Sequence, residues 1–283
     1  MMRDLMRAGM YRMGRDRILK ATLIFSLVYG VGFALFCRVQ AVIEGGEFLI
    51  PLFAAMAAYI ALTVGGEQST GVMRNQEASG HSRAQIICSE FLCGVTACVA
   101  MLALFLLPFG VLCGTLLRGV PLRGLCMALL SILIGTVCYA VLFTALSAAI
   151  GSRAIGLIAC LALIAGIVFV SYECELSLGC VEYIGIETMG ENGVFDTEWV
   201  PNPRYVGGAL REVFKVIDGV MPQGQVDGGM LYLDLCAKEV PLDDGSIRFS
   251  DVANVGFYPL YGALLSAVTI LAGGLGFRRK ELK

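Results

Sequence analysis

The chain contains one histidine, His81. That removes the common hydrolytic chemistries. An HExxH zinc site needs two histidines on one helix face, and a Ser–His dyad inside a membrane needs a histidine there. His81 instead falls in a polar loop between two apolar runs. No serine stands in a GxSxG turn. The lysines, at 20, 215, 238, 280 and 283, all lack a preceding glycine, so the GxxxxGK loop that cradles nucleotide phosphates is absent. Cys93 and Cys98 do not form a CxxC pair, and no histidine is near enough to suggest zinc. Eight of the eleven cysteines lie in or beside apolar runs, where a thiol acts as a small hydrophobe. Cys174, Cys180 and Cys236 fall in an acidic stretch; one disulfide with a free thiol, or three thiols, are both open. The chain is expected to hold no cofactor and no metal, and not to be an enzyme.

What remains is a set of residues suited to contact rather than catalysis. The loop after the second apolar run carries Glu67, Gly71, Arg74, Asn75, Gly80, Ser82 and Arg83. Two glycines bracket a short stretch that can be helical, and two arginines offer ionic contacts to a protein partner. At the start, Met2–Arg15 reads as an amphipathic helix with Met2, Leu5, Met6, Met10 and Met13 on one stripe. Arg3, Arg7, Arg12 and Arg15 occupy much of the other face, the pattern of a basic helix lying in a membrane interface.

The elements that position these residues follow from composition. Apolar side chains make up 57% and charged ones 16% of the 283 residues, and the mean hydropathy is +0.77. A soluble domain carries about 25% charged residues, so this is a membrane composition. The net charge of −2 excludes a globally basic nucleic-acid binder. Six stretches without charge are long enough to span a bilayer: 21–37, 48–66, 91–117, 124–150, 154–172 and 255–277. The expectation is an all-α polytopic membrane protein with no ionisable group inside its spans. Pro108 is a candidate kink in the long third run.

Charge sets the orientation. With the N-terminus inside, thirteen Lys and Arg flank the inner span ends against three, Arg38, Arg118 and Arg123, outside. Both termini are then cytoplasmic, and residues 173–251, with 15 acidic and 5 basic side chains, lie outside. The domains read as an interfacial helix 1–17, helices one to five over 18–172 with the loop 67–86 inside them, an extracytoplasmic insertion 173–254, and a sixth helix with basic tail over 255–283.

The basic start MRDLMRAGMYRMGRDR, the loop Glu67 to Ile86 and the end GFRRKELK, in that order around six spans, resemble the permease subunit of ABC-2 type transporters. The resemblance covers almost the whole chain and rests on order, since each motif is degenerate. It implies a bacterial cytoplasmic membrane protein and pairing with a second permease subunit. It also implies docking of loop 67–86 on a cytoplasmic ATPase that holds ATP and Mg. The other reading is a membrane-anchored sensor or assembly factor whose outer domain binds a ligand.

Within the insertion, Asn202-Pro203 followed by Val206, Leu210, Val213, Phe214 and Ile217 predicts a helix ending near Pro222. Met230–Cys236 is expected to pack against it, and Trp199 to anchor a small core.

Overall fold

The computed structural model describes residues 2–40, 46–114, 122–189, 195–237 and 257–279. Six of its helices are long and apolar enough to cross a membrane: Arg17–Gln40, Gly46–Ser69, Arg83–Leu112, Gly124–Ile150, Arg153–Leu178 and Tyr258–Phe277. They match the six expected runs. We label the helices α1 (Met2–Arg15), α2 (Arg17–Gln40), α3 (Ile50–Ser69), α4 (Val72–Ala78), α5 (Arg83–Leu112), α6 (Leu122–Ile150), α7 (Arg153–Leu178), α8 (Gly208–Val220), α9 (Pro222–Ala237) and α10 (Tyr258–Arg279).

Two boundaries differ from the apolar runs. Helix α5 begins at Arg83, well before Phe91, because Ser82 and Gln85 form a capping box. The Ser82 N–H donates to Gln85 Oε1 at 3.0 Å, and the Gln85 N–H donates to Ser82 Oγ at 3.3 Å. Glu90 is thereby carried inside a long apolar helix, against the expectation that no ionisable group lies there. Helix α7 continues past Tyr172 to Leu178, so Glu173 and Glu175 close that helix rather than open the insertion. Pro108 sits buried within α5. Residues 115–117 and 255–256 of the expected spans, and 280–283 of the basic tail, lie outside the described residues.

Helix α6 is the hub, packing against α3, α5, α7, α9 and α10. Tyr139 stacks between Phe53, at 4.4 Å between ring centroids, and Phe143, at 5.5 Å. Helix α2 lies against α5 through Phe33, which stacks on Phe105 at 5.4 Å and Phe109 at 5.9 Å. That approach requires Gly30, since a Cβ there would collide with the Phe105 carbonyl. The outward faces are apolar: Ile24, Val28 and Val39 on α2, Ile158 and Phe169 on α7, and Val268 and Leu271 on α10 are all exposed. Large contiguous apolar surfaces of this kind suit hydrocarbon rather than water.

The insertion departs from expectation in several ways. It contains an antiparallel ribbon, β1 (Tyr183–Met189) paired with β2 (Phe195–Pro201), with Gly185 opposite Trp199. Trp199 is 68% exposed on that ribbon and anchors no core. Asn202 does not cap a helix. Its Oδ1 accepts from the Arg204 N–H at 3.0 Å and its own N–H donates to Glu182 O at 2.9 Å, which makes a turn at the end of the ribbon. The helix starts only at Gly208. Pro222 then opens α9 instead of merely ending α8, as a residue without an N–H can at a first turn. The side chains of residues 232–236 lie outside the described residues; Met230 is buried, against α6 rather than within a separate outer core.

Candidate functional site

The loop between α3 and α5 has a defined shape. Gly71 at φ +75° and Gly80 at φ +89° occupy the left-handed region that favours glycine, and they set α4 off as a single short helix. Met73 is fully buried and pins α4 to the bundle. Arg74 and Asn75, next to it on the opposite side, stand exposed, as do Gly80 and Ser82. Arg83 does not project freely, because its Nε donates to Glu77 Oε1 at 2.7 Å, holding α4 against the start of α5.

Glu67, expected with this loop, turns the other way. It lies in the last turn of α3 and its Oε1 pairs with Arg12 Nη1 at 3.0 Å. Helix α1 is therefore fastened to the bundle rather than only laid beside it. Leu5 is buried, and Gly9 allows α1 to approach α5, since a Cβ there would come within 2.8 Å of Cys93 Sγ. The four predicted interfacial arginines consequently divide. Arg12 turns inward, Arg7 is exposed, and Arg15 lies over the Tyr11 ring with its guanidinium carbon 4.6 Å from the centroid. Arg3 is in α1, and its side chain lies outside the described residues.

The third member of this group was missed from sequence. Glu90, only 7% exposed, lines the same cavity wall as Glu67 and Arg12. A signal existed: Ile86, Ile87, Glu90, Phe91, Gly94, Ala97 and Cys98 recur at helical spacing and are the buried face of α5. Glu90 occupies a core position on that stripe.

A second polar region lies at the other end of the bundle, where the α8–α9 hairpin enters. Gly135 and Gly229 let α9 approach α6; a Cβ at Gly135 would lie 2.8 Å from Pro222 O. Tyr139 Oη donates to Gln223 Oε1 at 3.2 Å, and Gln223 Nε2 donates to Asp227 Oδ1 at 2.8 Å. Gln225 Nε2 donates to Gly219 O at 3.1 Å, and Tyr258 Oη donates to Asp218 Oδ2 at 3.1 Å. Neither aspartate belongs to the six long apolar helices. Burial raises the Asp218 carboxyl to about 7, opposed by the bond from Tyr258. Burial, helped by the negative charge of Glu175, raises Asp227 to about 8.

Cys174 and Cys180 are free thiols, while Cys236 lies where side chains are not described. Among the described residues no cluster of three or more His, Cys, Asp or Glu is placed to hold a metal ion. Compared with family models and with curated proteins, the chain matches none.

Proposed function

We propose that the chain is the membrane-spanning permease subunit of an ATP-driven exporter of the ABC-2 type. It sits in a bacterial cytoplasmic membrane with both termini inside, pairs with a second permease subunit and takes its energy from a cytoplasmic ATPase that binds ATP and Mg. The observation that carries this reading is α4. A helix of about two turns, bracketed by two left-handed glycines and anchored through Met73, presents Arg74 and Asn75 outward at the end where α1 is fastened. A connector has no need of such rigidity, whereas a rigid protrusion transmits a push. Movement of a docked ATPase would pass through α4 into α3 and α5, and through Arg12–Glu67 into α1.

A sensor or assembly factor is the second reading. It is favoured by the β1–β2 ribbon, which exposes Tyr183 and Trp199 on one face and Ile184 and Ile186 on the other. An apolar exposed ribbon is a surface for a ligand or a protein.

The test is a pull-down of the tagged chain from its native membrane, with ATP hydrolysis measured in the eluate. Wild type brings down a hydrolysing subunit. Arg74→Glu is expected to reduce that activity by at least tenfold with insertion unchanged, while Arg204→Glu, on the exposed turn after the ribbon, leaves it unaltered. Full association of Arg74→Glu would make α4 a plain connector and move the sensor reading ahead.

A further inference from the structure

Beneath α1, between α3 and α5, lies a cavity of about 490 Å³. A water molecule occupies roughly 30 Å³ of liquid, so the space suits an organic group rather than a bare ion. Its wall joins Tyr59, Ile60 and Val64 of α3 with Arg12 of α1, and ends on Glu67 and Glu90. The charges around it do not balance. Arg12 and Arg15 face three carboxyls, those of Asp16, Glu67 and Glu90. Asp16 Oδ1 is already engaged by the Ile18 N–H at 2.8 Å at the start of α2, and Arg15 is stacked on Tyr11. Arg12 Nη1 holds Glu67 Oε1, which leaves Glu67 Oε2 buried with no hydrogen-bond partner. Glu90, more than nine-tenths buried, lies on the same wall as Glu67. On the other side, Arg12 Nε is a buried donor with no acceptor.

We infer that this cavity takes an organic ammonium group with an oxygen acceptor a few bonds away. Glu90 and Glu67 Oε2 receive its N–H bonds, and Arg12 Nε donates to its oxygen. An ammonium offers three donors, and the aromatic ring of Tyr59 suits the carbons beside it. The arriving ammonium brings the positive charge that the third carboxyl of the wall lacks. The chemistry fits both a free amino-alkyl phosphate and the headgroup of phosphatidylethanolamine. The inference is independent of whether the chain is an exporter.

The test uses the full chain in nanodiscs of phosphatidylglycerol, titrated calorimetrically with 2-aminoethyl phosphate. A second arm counts lipids retained on the chain by native mass spectrometry from equal mixtures of phosphatidylethanolamine and phosphatidylcholine. The quaternary headgroup of the latter has no N–H to donate. Saturable binding of the soluble probe assigns the site to free amines. Selective retention of phosphatidylethanolamine assigns it to lipid. In either arm Glu90→Gln, which keeps shape and removes charge, is expected to lower binding at least tenfold, with Glu67→Gln as a second variant and Glu212→Gln as an unaffected control. The unliganded melting temperature of each variant separates lost binding from lost fold. Absence of both soluble binding and lipid selectivity, or binding by both glutamine variants as tight as by wild type, would overturn the inference.

Discussion

The two polar regions of this bundle solve the cost of burying polarity in opposite ways. At the α1 end, Arg12, Glu67 and Glu90 are ionisable groups of mixed sign with more acid than base. At the hairpin end, Tyr139, Gln223 and Asp227 form a relay in which each donor meets an acceptor, as do Tyr258 and Asp218. A buried ion needs a counter-ion or a proton, whereas a buried neutral group needs only a hydrogen bond. The first region is therefore sensitive to what comes near it and is suited to docking and release. The second fixes a hairpin in place and is suited to holding shape.

The sharpest way to break this contrast is to reverse the one cation. Arg12→Glu would set three carboxyls together. We expect a loss of roughly 2–4 kcal/mol, somewhat below the ~3–5 kcal/mol of a fully buried pair because both side chains keep some water. The measurement is the unfolding midpoint in denaturant, with trypsin cleavage at Arg7 reporting release of α1. Unchanged protection of α1 would mean that the ion pair is incidental.

The next largest effect belongs to the hairpin. Gly135→Leu would drive a side chain into Pro222 O and Val226, with an expected cost of ~1–3 kcal/mol from overpacking. Thermal unfolding monitored by Trp199 fluorescence would read it, and full stability would show that α9 does not need its close seat on α6.

Acidity separates the regions further. Folding raises Asp227 from 3.8 to about 8, so the folded chain keeps a proton that the unfolded chain releases. Its stabilising contribution is complete below the unfolded value and is lost as pH climbs through about 8. Asp227→Asn should hence raise the melting temperature by a few degrees at pH 8.5 and change it little at pH 4. An equal shift at both values would disprove the protonated relay.

The smallest effect is expected at Tyr139→Phe, which removes one donor and leaves Gln223 Oε1 without it. The cost should be ~0.5–1.5 kcal/mol, read as a modest fall in the same midpoint. A loss as large as that of Arg12→Glu would put the two regions in one class after all.

Much of this architecture was legible in the residues. The six spans, the amphipathic start at Met2 and the helix bracketed by Gly71 and Gly80 are all local patterns. Bilayer thickness, helical periodicity and glycine geometry act on neighbouring residues, so sequence alone carries them. The start of α5 was legible in principle as well, in the Ser82–Gln85 spacing.

Tertiary packing decided the rest. Residues 12, 67 and 90 belong to three separate helices, and nothing within any one of them specifies that Arg12 turns inward or that Arg83 is spent on Glu77. The insertion is acidic overall, yet Asp218 is buried, Asp227 is half-buried and α9 lies on α6. Trp199, the apparent anchor, is exposed because among the described residues no second layer covers the ribbon that carries it. Burial of a polar side chain is licensed by a partner, and the partner here comes from another element. Local sequence determines which helices form, while the pairing of distant polar groups determines how they assemble and where a ligand could enter.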